Sequence, residues 1–297
     1  MKTTKLAQTV LLSDGNKIPI IGLGTFLTTN KDQMTDLIRT ALNVGYRHFD
    51  TAKVYENEVY IGEAFQQIFS EGVYKREDIF LVSKIMSNKN EVVSDVIRQT
   101  LKDLQVEYLD LLYLHWSFTP PSDQLEWNHK PVHQVWAELE EVQKKGQTKS
   151  LGVSNFNVQG LVDLLSYAKI KPVSLQVELH VFLQQNRLIE FCKRANIHVT
   201  AYSPLARYTE VINNQVLNNI AKKYGVPVTQ ILLAFLIQQG ISVIPKTEKS
   251  FRLKENFDAI NITLEQNDVE ELKKLDINHR TIQPATFQPF QFIPIFD

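Results

Sequence analysis

Asp50, Tyr55, Lys84 and His115 are the residues of this chain whose types and placement suggest proton chemistry. Lys84 and His115 each end a short apolar run, Asp50 stands one residue from the end of another, and Tyr55 lies in the loop a few residues further on. A phenol with an ordinary pKa of about 10 is a poor acid at neutral pH, but a nearby ammonium stabilises the phenolate and lowers that value. Lys84 is the expected cation, each unit of lowering being worth about 1.4 kcal/mol. A buried lysine keeps its proton only if a carboxylate compensates, and Asp50 is placed to do so, leaving His115 to position a substrate oxygen. Without Tyr55 and His115, the Asp50–Lys84 pair reads equally well as an ion pair bracing a core. His48 shares a strand face with Asp50 and reads as core. His129 and His133 read as surface, and no histidine spacing suggests a metal site.

The elements that must position these groups alternate regularly. After a hairpin-like stretch around Asp14-Gly15, strand-like runs cover Ile21 to Phe26, Tyr46 to Thr51, Phe80 to Lys84, Leu109 to His115, Lys149 to Asn155, Val173 to Leu179, His198 to Ser203 and Ser242 to Pro245. Helix-length amphipathic segments separate them: Asp32 to Asn43, Glu58 to Phe69, Glu91 to Leu104, Pro131 to Lys145, Val158 to Ala168, Gln185 to Ala195 and Thr229 to Gln239, with another near Phe251 to Phe257. Eight strand-then-helix units imply an α/β fold, a (β/α)8 TIM barrel with an N-terminal β-hairpin. Segments Asn213 to Tyr224 and Leu264 to Leu275 predict two extra helices. No linker divides the chain, so residues 1–297 read as a single domain. Asp50, Lys84, His115, Asn155 and Ser203 then fall at or near the C-terminal ends of different strands, where such barrels build active sites.

A formal net charge of -1 argues against general attraction to nucleic acid or acidic membranes and for a small-molecule ligand. Cys192 is the one cysteine, so neither an intramolecular disulfide nor a cysteine-based metal site is expected. No signal-peptide pattern opens the sequence and Ile231 to Ile237 is too short an apolar run to span a bilayer, so a cytoplasmic protein is expected. On that reading the sequon Asn261-Ile-Thr263 is fortuitous.

Several long motifs resemble the aldo-keto reductase family. They are Ile18-Pro-Ile-Ile-Gly-Leu-Gly-Thr25, Gly45-Tyr-Arg-His-Phe-Asp-Thr-Ala-Lys-Val-Tyr-Glu-Asn-Glu58, Leu81-Val-Ser-Lys84, Tyr108-Leu-Asp-Leu-Leu-Tyr-Leu-His-Trp116, Leu151-Gly-Val-Ser-Asn-Phe156, Ala201-Tyr-Ser-Pro-Leu205 and Val243-Ile-Pro-Lys-Thr247. The resemblance implies carbonyl reduction by hydride from NADPH, with a tetrad of Asp50, Tyr55, Lys84 and His115 and with Tyr55 as general acid. It also implies a cofactor site. Gly24, Thr25 and Asp50 border it, Ser154, Asn155 and Gln176 hold the carboxamide, Tyr202 stacks on the nicotinamide, and Ser203 and Leu205 touch the pyrophosphate. No Gly-x-Gly-x-x-Gly is present, which suits the family's different adenosine site after the eighth strand. There Lys246, Thr247 and Arg252 match a clamp for the 2'-phosphate, and Glu255 and Asn256 face the adenine or its ribose.

That clamp favours NADPH over NADH, although the charges at Lys249, Arg252 and Lys254 also suit a solvated helix face. The substrate pocket departs from the family pattern: Phe26 and Met86 stand where tryptophan is frequent, and Ser117 where proline often follows His-Trp. Val54, Trp116, Phe118 and Trp127 remain to form an apolar wall, which Phe287, Phe290 and Phe292 of the tail could close. The rival readings are a cofactor-binding regulatory barrel with little turnover, and a sugar reductase using NADH or both cofactors. A monomer is the family-based expectation.

Overall fold

A computed structural model describes residues 6–121, 126–208, 211–283, 293, 295 and 296. Phe287, Phe290 and Phe292 lie outside the described residues. Strands β1 (Thr9–Leu11) and β2 (Lys17–Pro19) pair antiparallel, joined by a turn in which Asp14 Oδ1 accepts from Asn16 N and Gly15 takes a φ of 90° that only glycine adopts freely.

Eight parallel strands follow: β3 (Gly22–Gly24), β4 (His48–Asp50), β5 (Phe80–Ile85), β6 (Leu109–Leu114), β7 (Thr148–Ser154), β8 (Ser174–Glu178), β9 (His198–Tyr202) and β10 (Ser242–Val243). They pair in chain order, and bridges from Ile21 to Val243 and Gly24 to Lys246 join the last strand to the first, closing a barrel. β10 stops early because Pro245 has no N–H to give, but its carbonyl still accepts from Gly24 N at 3.2 Å. Nearly every strand residue is buried, as expected where helices cover a parallel sheet. The hairpin closes the N-terminal end: Leu12 and Ile18 pack on Phe80, Val82, Leu111 and Tyr113, and Asp14 Oδ2 accepts from Ser150 Oγ at 2.6 Å.

The expected helices are present. They are α1 (Lys31–Val44), α2 (Glu58–Ser70), α3 (Val93–Asp103), α4 (Val132–Lys144), α5 (Val158–Tyr167), α6 (Asn186–Arg194), α8 (Val228–Ile237) and α9 (Ser250–Asp258), with α7 (Gln215–Tyr224) and α10 (Gln266–Lys273) as the two additions. Asn30, Asn157 and Asn214 cap α1, α5 and α7 by accepting an N–H three residues on. One expectation fails in detail. Thr229 to Gln239 reads as amphipathic, yet Thr229 to Leu236 are all buried, because α7, α9 and the 3-10 turn Ala259–Asn261 pack on the face that would otherwise meet water.

The outer layer is packed tightly where α2 meets α3. A Cβ added at Gly62 would stand 2.3 Å from the Asp103 carbonyl oxygen and 2.7 Å from the Leu104 backbone. Gly62→Ala gains about 1 kcal/mol of helix propensity, but overpacking against rigid backbone costs roughly 1–3 kcal/mol. The expected outcome is a net loss of stability, read as a lower urea midpoint; an unchanged or raised midpoint would show that the helices part at little cost.

Candidate active site

The C-terminal rim of the barrel gathers the polar residues. Asp50 ends β4, Lys84 sits one residue from the end of β5, and His115 follows β6 with its N–H still laddered to Ile85 O at 2.8 Å. Lys84 is fully buried and its ammonium is satisfied three ways: Asp50 Oδ1 at 2.5 Å, Thr51 O at 2.8 Å and the Tyr55 hydroxyl at 3.4 Å. The other Asp50 oxygen accepts from Gln176 Nε2 at 2.7 Å. Tyr55 arrives on a 3-10 turn, Lys53–Tyr55, and its ring meets His115 edge-on at 5.8 Å. Four residues expected to act together are therefore one contiguous group.

Asn57 fixes that turn. It accepts from Thr51 Oγ1 at 2.7 Å and donates to the Thr25 and Thr28 carbonyls at 2.9 and 3.1 Å, so a single buried amide ties the Tyr55 loop to the segment after β3. It lies inside the motif that carries the family resemblance, but the sequence reading gave it no role. Its buried, multiply bonded amide is a three-dimensional signal.

Electrostatics correct one expectation. Lys84 does not leave Tyr55 with a lowered pKa: burial of the hydroxyl, with the Asp50 charge adding to it, pushes the phenol well above its usual 10. Burial likewise lowers the Lys84 ammonium, opposed by Asp50, and holds His115 well below 6.5 with the Lys84 charge acting in the same direction. Tyr55 is thus a protonated donor and His115 a neutral imidazole, whose Nδ1 is buried without a hydrogen-bond partner. His48 is buried beneath them, as expected, with its pKa pushed down to about 4 by burial.

The neighbouring residues complete the rim. Ser154 Oγ donates to Gln176 O at 2.8 Å, and Asn155, in the left-handed region at φ 61°, donates to His115 O at 3.0 Å and accepts from the Tyr202 hydroxyl at 2.8 Å. Thr25 Oγ1 donates to Asp50 O at 2.9 Å, and Gly24 has no room for a side chain, since a Cβ would lie 2.8 Å from Ile244 O. Ser203 and Leu205 are half-buried just past β9, with Ser203 also left-handed. Phe26 meets the Tyr55 ring edge-on at 5.0 Å, Trp116 lies over His115 at 6.5 Å and Phe118 meets Trp116 at 6.1 Å. Val54 and Trp127 are exposed, and Met86 is half-buried.

After β10, Lys246 pairs with Glu248 at 2.7 Å, Thr247 Oγ1 accepts from Lys249 N at 3.1 Å, Arg252 is exposed and Asn256 is buried. Lys249 gives α9 no side-chain cap, so the amides at its start remain free of one. Glu255, half-buried, accepts from Thr229 Oγ1 of α8 at 2.7 Å.

Comparison with known proteins agrees with this geometry: residues 20–277 match the aldo/keto reductase family. The chain belongs to that family. The reductase is 42% identical to aldose reductase C of Dictyostelium discoideum, over 93% of this chain and 92% of that protein. It is 41% identical to aldose reductase B of the same organism, over 97% of each. Among solved structures, an aldo-keto reductase of the silkworm Bombyx mori, determined in complex with NADPH, superposes with a TM-score of 0.90 at 33% identity, covering 98% of this chain and 94% of that one. The oxidoreductase class and the barrel are thereby established.

Behind Lys84 the reductase buries a second carboxyl group that sequence reading overlooked. Glu58 accepts from Ser83 Oγ at 2.5 Å and Thr100 Oγ1 at 3.1 Å, and burial pushes it up to about 7 despite those bonds. An acid that holds its proton more tightly when folded stabilises the fold fully below its ordinary value, and that contribution is lost as pH rises from about 4.5 through about 7. Glu58→Gln, which cannot ionise, should flatten the fall in unfolding free energy across that window. Parallel pH profiles of wild type and variant would refute the assignment.

Proposed function

We propose that this reductase converts aldehydes and ketones to alcohols with NADPH, and that Tyr55 delivers the proton to the carbonyl oxygen. The observation that carries the reading is the Lys84 ammonium, held by Asp50 at 2.5 Å and within 3.4 Å of the Tyr55 hydroxyl. While Tyr55 is a neutral phenol, burial keeps its proton in place. Once the proton leaves, the adjacent ammonium faces a phenolate in a medium of low dielectric, where their attraction is strongest. Lys84 therefore acts on the product of proton transfer rather than by keeping Tyr55 acidic at rest. His115, neutral beside Tyr55, orients the carbonyl oxygen by hydrogen bonding without adding a competing acid.

The residues present suit the cofactor at both ends. Ser154, Asn155 and Gln176 are buried polar groups beside the tetrad, and Tyr202, its hydroxyl fixed by Asn155, offers a ring for stacking. At the other end the uncapped start of α9, with Lys246, Thr247 and Arg252 around it, suits a phosphate dianion. When bound, NADPH supplies the hydride. The Lys246–Glu248 pair favours a second reading of cofactor choice, because the cation meant for the 2'-phosphate already has a carboxylate partner and NADH use would then be tolerated. The enzyme of this reading is a cytoplasmic, monomeric, single-domain protein acting on a small-molecule carbonyl.

Absorbance loss of NADPH with 4-nitrobenzaldehyde tests the main reading. Tyr55→Phe should lose a factor of about 10² to 10⁴ in kcat while quenching of its fluorescence by NADPH is retained. Equal activity of variant and wild type would remove Tyr55 from the chemistry, and NADPH binding without turnover by wild type would favour a regulatory barrel. Glu248→Ala frees Lys246, so the ratio of kcat/KM for NADPH over NADH should rise; an unchanged ratio would show that Lys246 does not meet the 2'-phosphate.

A further inference from the structure

Glu178 is fully buried at the end of β8, and the mechanism above gives it no task. Its carboxylate is surrounded by donors from the C-terminal segment. Thr281 N reaches Oε1 at 2.7 Å and Thr281 Oγ1 reaches it at 2.6 Å. Ile282 N lies 3.1 Å from Oε2, and the Arg280 guanidinium 3.5 Å from it. His180 Nε2 stands 3.1 Å from Oε1 on the other side. Burial alone would raise this carboxyl, yet the bonds from His180 and Thr281 outweigh it and hold it below the ordinary value.

Arg280 is sandwiched. One side approaches Glu178, and its guanidinium carbon lies 3.6 Å from the centre of the Phe296 ring. Phe296 in turn meets Trp116 at 6.0 Å, and Trp116 lies over His115. A continuous column, carboxylate to guanidinium to phenyl to indole, thus runs from β8 to the imidazole expected to hold the carbonyl. Gln176 and Glu178 are two residues apart and share one face of β8, so the strand that braces Asp50 also anchors the tail.

We propose that Glu178 is a positioning residue that, through Arg280, sets Phe296 as a wall of the substrate pocket and so gives the enzyme a preference for carbonyls bearing a flat apolar group. The inference rests on the reductase reading. Phe26, Trp116, Phe118 and Phe296 present ring faces and edges to which an aromatic or conjugated substrate adapts and a short aliphatic aldehyde does not. Arg280 serves better than lysine because only a planar guanidinium both meets a carboxylate and stacks on a ring.

The test compares wild type with Glu178→Gln, Arg280→Lys, Phe296→Ala and Phe296→Tyr. Hydrogen exchange of the Thr281 and Ile282 amides reads the anchor without reference to turnover, and should accelerate in Glu178→Gln. The ratio of kcat/KM for 4-nitrobenzaldehyde to that for propanal reads the wall. It should fall by about three- to ten-fold in Phe296→Ala, Arg280→Lys and Glu178→Gln, mostly through KM, and recover in Phe296→Tyr. Unaltered exchange in Glu178→Gln would overturn the anchor. Accelerated exchange with an unaltered substrate ratio would overturn the wall. Wild type inactive towards both aldehydes would sink the reductase reading, and the pocket role with it, while the exchange result still decided whether Glu178 holds the tail.

Discussion

The buried Lys84–Asp50 ion pair is the interaction on which the rest of the site depends. Removing two such charges from water costs several kcal/mol each, and their attraction offsets this only where the remaining hydrogen bonds are satisfied. Here they are: the three ammonium donors have Asp50, Thr51 and Tyr55 as partners, and Gln176 takes the free carboxylate oxygen. Well-packed apolar side chains often replace a buried ion pair without loss of stability, so stability alone is a weak reason to keep the ions. What they gain is a fixed positive charge in a place water does not reach, beside a hydroxyl that the Asn57 amide holds on its loop.

The same low dielectric that makes the pair costly sorts the protons around it. It raises Tyr55 and lowers His115, so both are neutral at rest, the states the proposed reduction requires of them. A charged imidazole would repel Lys84, and a resting phenolate would have no proton to give. Burial therefore determines both protonation states, and in the proposed mechanism the ion pair provides the charge that responds when the proton moves.

Much of this was legible in the chain because strand ends are legible. Asp50, Lys84 and His115 close apolar runs, and a parallel barrel carries such ends to one rim. The direction of the Tyr55 pKa was not legible, since it depends on how much protein surrounds the hydroxyl, which no spacing encodes. Lys246 and Glu248 are near neighbours in sequence, yet their pairing depends on side-chain rotamers. The bond that Glu255 accepts from Thr229 of α8 was likewise hidden, since it joins residues 26 apart on different helices. Glu178 was invisible for a different reason: the groups it binds lie about a hundred residues downstream, in a tail without periodic pattern. Its burial among donors could be found only once the chain was folded.

The 3-10 turn that carries Tyr55 divides its residues sharply. Lys53 points outward to Asp103, Tyr55 points to the ion pair, and Val54 between them is 52% exposed. Because Asn57 and Lys53 secure the turn on either side, Val54 can be exchanged without disturbing its neighbours. One position beside the reacting centre is thus released from the constraints on stability and proton transfer, and is free to drift. Under the proposed mechanism, a lineage built on this scaffold could change what it accepts by accumulating substitutions at that rim, never passing through a variant that has lost its acid.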